Sequence, residues 1–241
     1  MATNTLPKSG TPRGTISARR TTVFMKMLMA VSGAFFVFYV IVHMYGNLKI
    51  FGGTAPFDEY AHHLRTILTP ILPYAGFLWL FRAALIVALV VHAYSAFYLW
   101  SRARGARTTR YVAKEAARVT VRSKMMRWGG VALLVFLVWH LLQFSIVKFN
   151  VGPDAANDSP GALVISSFQV WWVVLIYLIA MVALAMHLYH GVWSASQTLG
   201  WVSTARARRI SRTTATTIAL VTAVGFMLPP LAILFGIVKG N

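Results

Sequence analysis

Five long apolar stretches divide this chain, near residues 24–48, 73–100, 126–148, 166–193 and 214–238. A helix needs roughly 20 apolar residues to cross the hydrocarbon of a bilayer, and each stretch meets that length. The pattern predicts an all-α integral membrane domain over 22–241 with five transmembrane helices, the first four forming a four-helix bundle. Residues 1–21 are polar and basic, have no apolar core of the kind a signal peptide carries, and read as a disordered tail. Gly52-Gly53-Thr54-Ala55-Pro56 ends the first span, and 57–68 reads as a short amphipathic helix closed by Pro70 and Pro73. The basic segment 101–124 reads as a partly helical loop, and Gly152-Pro153 to Pro160-Gly161 as a turn-rich loop. Pro229 and Pro230 are expected to kink or unwind the fifth span. That span carries no histidine or buried charge, so it reads as packing or partner-binding structure.

Charge orients these spans. A net charge of +18 invites a nucleic-acid reading, but its distribution argues against one. Lys8, Arg13, Arg19, Arg20 and Lys26 flank the start of span one, the run from Arg102 to Arg127 joins spans two and three, and Arg206, Arg208, Arg209 and Arg212 precede span five. The other side carries Lys49, Arg65, Lys148 and Lys239 beside Asp58, Glu59, Asp154 and Asp158. This is the positive-inside pattern. It predicts a cytoplasmic N-terminus, an external C-terminus and a multi-pass protein of the cell inner (plasma) membrane, with a bilayer and no nucleic acid as partner. Part of the same charge suits docking of a soluble protein or anionic lipid. The chain has no cysteine. That excludes disulfides, cysteine-ligated iron–sulfur clusters and thioether-bound haem within it, and leaves non-covalent haem open.

Histidine supplies the candidate chemistry. His43, His92, His140 and His187 each sit inside a different apolar span, where an ionisable side chain is costly and marks function. His43 follows Gly33, and His140 follows Gly130, at the same interval. His92 opens His-Ala-Tyr-Ser-Ala-Phe-Tyr and His187 opens His-Leu-Tyr-His-Gly-Val-Trp. The chain therefore reads as two similar two-helix halves. At a helix rise of 1.5 Å per residue, His43 and His140 lie roughly 24 and 18 Å above the cytoplasmic end, and His92 and His187 roughly 27 and 28 Å below the outer end. Two pairs result, His43 with His140 in the outer half and His92 with His187 in the inner half. Facing imidazoles across a helical bundle are the axial ligation of b-type haem, so two pairs predict two haem b groups stacked across the membrane. Gly33 and Gly130 would let a flat macrocycle or a neighbouring helix approach the backbone. Zinc is disfavoured, because its ligands cluster at one level and no acid lies inside any span. A proton relay in a membrane transporter remains the alternative from another class.

Other polar residues near these levels are candidate contacts. His190 competes with His187, but the repeat aligns His187 with His92 and His190 with Ser95. His190 is then a candidate for a haem propionate or a quinone. Arg82, in the outer third of span two, is a candidate propionate partner for the outer haem, and Lys26 and Arg127 for the inner one. Glu59, Tyr60, His62 and His63 on the outer amphipathic helix could release protons near a quinone or form a solvated face.

The segments Val-His43-Met-Tyr-Gly-Asn, Val-His92-Ala-Tyr-Ser-Ala-Phe-Tyr, Val-Trp-His140-Leu-Leu and Met-His187-Leu-Tyr-His-Gly-Val-Trp-Ser closely resemble one family. It is the cytochrome b membrane-anchor subunit of succinate dehydrogenase, of the two-haem, single-polypeptide kind found in Gram-positive bacteria. Phe57-Asp-Glu-Tyr-Ala-His62 is similar to the family's outer helix, and the likeness covers nearly the whole chain. His190 departs from it, since related sequences carry another polar residue there. The resemblance implies a flavoprotein subunit that oxidises succinate and an iron–sulfur subunit that passes electrons on, both docked on the cytoplasmic face. It implies menaquinone as acceptor and no succinate-oxidising site in this chain. Neighbouring readings are a fumarate reductase anchor and the quinone-reactive dihaem cytochrome b of a hydrogenase or formate dehydrogenase.

Overall fold

A computed structural model of the chain describes residues 22–105, 114–152 and 159–239, with 105 and 114–123 as backbone only. The basic tail, Asp154, Asp158 and the middle of the 101–124 loop lie outside the described residues. Every regular element among the described residues is helical. In chain order these are α1 (Thr22–Leu48), α2 (Thr54–Thr66), α3 (Gly76–Gly105), α4 (Lys114–Leu141), α5 (Pro160–Phe168), α6 (Trp171–Thr198) and α7 (Ala205–Leu234). A 3₁₀ turn, Lys49–Gly52, ends α1, and a π-helical turn, Leu142–Ile146, ends α4.

Among the described residues, five helices are long and apolar enough to cross a membrane: Thr22–Gly52, Gly76–Arg104, Lys124–Ile146, Trp171–Thr198 and Ala205–Leu234. Their outward faces present large apolar side chains, among them Val31, Trp79, Leu80, Ile86, Val87 and Ile179. In water such a surface would be an aggregation liability; against lipid tails it is the ordinary exterior. The chain is a multi-pass membrane protein with the bilayer as its solvent.

Several boundaries differ from those read off hydropathy. The fourth crossing begins at Trp171, not near 166, because Pro160–Phe168 forms a helix of its own. Ser159 caps it, accepting from the Ala162 amide at 3.2 Å, and Pro160 occupies the first turn, where its missing N–H has no cost. The fifth helix starts at Ala205, well before 214, capped by Thr204 accepting from the Ala207 amide at 3.1 Å. Arginine is a good helix former although polar, so the apolar window understates the helix's length. Nor does the helix unwind at Pro229 and Pro230; it continues to Leu234 with both rings buried. The prolines remove N–H donors only near the last turn, where little helix remains to break.

Packing is unequal. α1 packs on α3 and α6, α4 packs on α6, and α7 lies along α6 and against α1. Gly225 of α7 lets Met44 of α1 approach its backbone. α2 and α5 close one end of the bundle. Asp58 of α2 accepts from the Gly161 amide of α5 at 2.7 Å, tying the two together at the start of α5. The tightest apolar core lies at this end, where Ile50, Ile165, Phe168, Val173, Val174, Tyr177 and Ile233 meet. By contrast, no residue in the most apolar 18 of α3 is buried. α3 and α4 touch through Trp100 and Trp128, with ring centroids 5.9 Å apart, near the arginine-rich end.

Candidate functional site

Four helices contribute one histidine each. α1 carries His43, α3 His92, α4 His140 and α6 His187. The bundle brings them together two by two, across its diagonals. His43 and His140 have ring centroids 5.8 Å apart, toward the α2–α5 end. His92 and His187 have centroids 6.1 Å apart, toward the arginine-rich end. Among the described residues, no three side chains of His, Cys, Asp or Glu form a metal-binding group. Two imidazoles on opposite sides of one metal, with metal–nitrogen bonds of about 2 Å, would have centroids about 6 Å apart. Both pairs have that separation.

Hydrogen bonds orient the rings. In the pair nearer α2–α5, His140 Nδ1 lies 3.2 Å from the Tyr177 hydroxyl, which donates to Gln143 Oε1 at 3.0 Å. With its proton engaged by Gln143, the Tyr177 oxygen accepts from Nδ1–H. The His140 Nε2 lone pair is then free. Gln143 is fully buried, 0% exposed, and its Nε2 has no hydrogen-bond partner. It lies in the π-helical turn just after His140, a distortion frequent at functional sites. His43 stacks on Tyr39, with centroids 5.3 Å apart and planes at 11°, and touches the Phe226 ring of α7 at 5.6 Å.

The second pair follows the same logic. His92 Nδ1 lies 3.2 Å from Ser32 Oγ, and Ser32 donates to the Leu28 carbonyl at 2.7 Å. The hydroxyl oxygen therefore accepts from His92 Nδ1–H and leaves Nε2 free. Gly33 and Gly130 serve this pair, not the His43–His140 pair that follows each of them in sequence. A Cβ on Gly33 would lie 3.4 Å from His92 Cε1, and a Cβ on Gly130 would lie 3.5 Å from His187 Cε1. The imidazoles lie over the glycines, with room for a methyl group but not for a larger side chain. Sequence spacing alone associates them with the wrong histidines, because which helix faces which is a tertiary fact.

The remaining candidates divide. Arg82 lies 5.0 Å over the Trp79 ring. Its neighbour Phe81 packs on Tyr39, which puts Arg82 at the level of the His43–His140 pair. Arg127 lies 5.7 Å over Trp100 at the opposite end. Lys26 is exposed near the start of α1. His190 packs beside Tyr189, one turn beyond His187, while its repeat counterpart Ser95 is fully buried with an unpartnered Oγ. Glu59, His62 and His63 are exposed on α2, whereas Tyr60 turns inward against Gly46 and Tyr45. Sequence reasoning missed Ser32 as a partner of His92, and missed Tyr177 and Gln143 altogether. The last two are isolated polar residues in apolar runs, a signal that was available.

Comparison with protein-family models, with curated proteins and with solved structures finds no match.

Proposed function

We propose that this chain is the dihaem cytochrome b anchor of a succinate:quinone oxidoreductase, passing electrons from an iron–sulfur subunit to a quinone, menaquinone above all. One observation carries the reading: two histidine pairs, each drawn from diagonal helices, sit at two levels with centroids 5.8 and 6.1 Å apart. Two donors do not complete a tetrahedral zinc shell, while two are what a haem iron takes on its axial faces. The ring nitrogens support it too. His92 and His140 direct Nδ1–H at an oxygen acceptor and keep Nε2 for a metal. The unburied apolar stretch of α3 and its sparse contact with α4 leave a flank of the bundle for a flat macrocycle to fill.

On this reading His43 and His140 hold the outer haem, and His92 and His187 the inner one. The haems supply one-electron exchange. The chain supplies ligands, burial and orientation. Arg82 on the outer side, with Arg127, Lys26 and His190 on the inner side, are the candidates for propionate or quinone contacts. The arginine-rich end faces the cytoplasm and receives the iron–sulfur subunit, itself bound to the flavoprotein. Electrons moved between faces work with or against the membrane potential, at about 2.3 kcal/mol per charge per 100 mV.

The test is a reduced-minus-oxidised visible spectrum with haem quantified per chain. The expected result is two b-type haems, with His43→Ala and His92→Ala each removing a different one. A preparation that keeps its partner subunits and shows no haem sinks the reading and moves a histidine-relay transporter to the front. A co-purifying nickel or molybdenum protein in place of a flavoprotein reassigns the anchor to a hydrogenase or formate dehydrogenase. Succinate oxidation and fumarate reduction are separated by assaying both directions.

A further inference from the structure

The two halves of the chain repeat each other around the inner pair, but differ at the residue before the glycine. Gly33 stands to His92 as Gly130 stands to His187: the built Cβ distances are 3.4 and 3.7 Å to Cε1 and Nδ1 in the first half, and 3.5 and 3.7 Å in the second. The residue before each glycine is not the same. Ser32, 6% exposed, hydrogen-bonds His92 Nδ1. Its counterpart is Gly129, and His187 Nδ1 is buried with no hydrogen-bond partner. Buried polar atoms without partners are rare in folded proteins, so each calls for a physical account. Here the cause is visible, since the position that carries the acceptor in one half carries no side chain in the other.

We propose that Ser32 is a positioning residue that sets the tautomer and the donor strength of His92. Gly129 makes the inner pair asymmetric, with one imidazole hydrogen-bonded and the other not. This rests on the two-haem reading above. An acceptor at Nδ1–H makes an imidazole a stronger electron donor to a metal at Nε2, which favours the oxidised metal. His92 has that assistance and His187 lacks it. The inner site is thereby left easier to reduce than one with two assisted ligands. That suits a group that must take electrons from a partner subunit on the near side.

Space permits the decisive variant. A Cβ on Gly129 would meet nothing within 4 Å. The glycine–histidine distances of the halves agree to 0.1 Å at Cε1, so a hydroxyl introduced at 129 is expected on the side of His187 that Ser32 Oγ occupies at His92. The experiment is a potentiometric titration of the haem-loaded protein with its partner subunits, followed in the visible α-band, with low-temperature EPR of the oxidised form. His92→Ala identifies which midpoint belongs to the inner haem. Ser32→Ala is expected to raise the inner ferrous-to-ferric ratio roughly fivefold at fixed potential, the worth of one net hydrogen bond. That is about 40 mV upward at 59 mV per tenfold. Gly129→Ser is expected to move the same midpoint downward by a similar amount, with a changed low-spin EPR signal. The outer midpoint stays in place in both, and Ser32→Thr, which keeps the hydroxyl, stays near the parent. Loss of the inner haem in Ser32→Ala but not in Ser32→Thr also supports the positioning role. Two haems with an inner midpoint unmoved by both Ser32→Ala and Gly129→Ser overturn this inference alone, as does an equal shift of both haems. A parent protein without haem overturns the two-haem reading and this inference with it.

Discussion

Replacing Tyr177 by Phe tests the polar chain beside His140, and the test does not depend on any cofactor. The hydroxyl accepts from His140 Nδ1 at 3.2 Å and donates to Gln143 Oε1 at 3.0 Å, so it bridges α6 to α4 and to the π-helical turn that follows it. Its removal leaves the ring, and with it the packing on Phe136 and Phe168, both at centroid distances of 4.9 Å. What is lost is two hydrogen bonds, and what is created is two buried unpartnered groups, the imidazole N–H and the Gln143 carbonyl oxygen. In a soluble core each orphan costs about 1–3 kcal/mol. Within a membrane the unfolded reference also finds partners, and interhelical hydrogen bonds average about 0.6 kcal/mol. Gln143 is completely buried and its Nε2 is already unpartnered, so it has few alternatives. We therefore expect Tyr177→Phe to destabilise the protein by about 1–2 kcal/mol, at the upper end of membrane hydrogen bonds. The assay is reversible unfolding in mixed micelles with increasing SDS, run with Gln143→Leu and the double variant. Removing both polar groups deletes the orphaned oxygen, so the double variant should cost less than the sum of the singles, with a coupling of about 1 kcal/mol. Strict additivity, or a Tyr177→Phe protein as stable as its parent, would refute the bridging argument.

Other outcomes follow from the packing. Gly130→Ala should be tolerated, because its Cβ meets His187 Cε1 at 3.5 Å, an ordinary contact. Gly130→Leu should push the imidazole aside; if the two-haem proposal holds, it should remove the inner haem and spare the outer one, read from the visible spectrum. Gly225→Val should force α7 from Met44 and disturb the Phe226–His43 contact, at about 1–3 kcal/mol of overpacking measured by the same micelle titration. Asp58→Ala removes the carboxylate that holds the Gly161 amide and should cost about 1 kcal/mol, as for a lost cap. Hydrogen exchange at Gly161 and its neighbours in α5 should accelerate without change in α3, and unchanged exchange would show that α5 is held by its apolar face alone.

The amino-acid sequence by itself determined that this is an α-helical membrane protein with five crossings, because an apolar run of bilayer length has no other way to satisfy its backbone. It also determined which helices carry histidine and at what depth, since depth along a helix is spacing multiplied by a fixed rise. Helix ends were less legible. Hydropathy marks where lipid contact begins, whereas caps such as Ser159 and Thr204 decide where hydrogen bonding begins, and at α7 the two differ by nine residues. Only the tertiary structure decided rotation and pairing about the bundle axis. It set Gly33 against His92 rather than near His43, put Phe226 of the fifth helix on His43, and ended α4 in a π-helical turn that buries Gln143. Rotation is decided by side chains meeting from helices far apart in sequence. In an almost uniformly apolar helix the sequence pattern distinguishes one face from another only faintly. The contrast between Ser32 and Gly129 was plain in the sequence, but its chemistry was not, because the nitrogens it concerns belong to other helices.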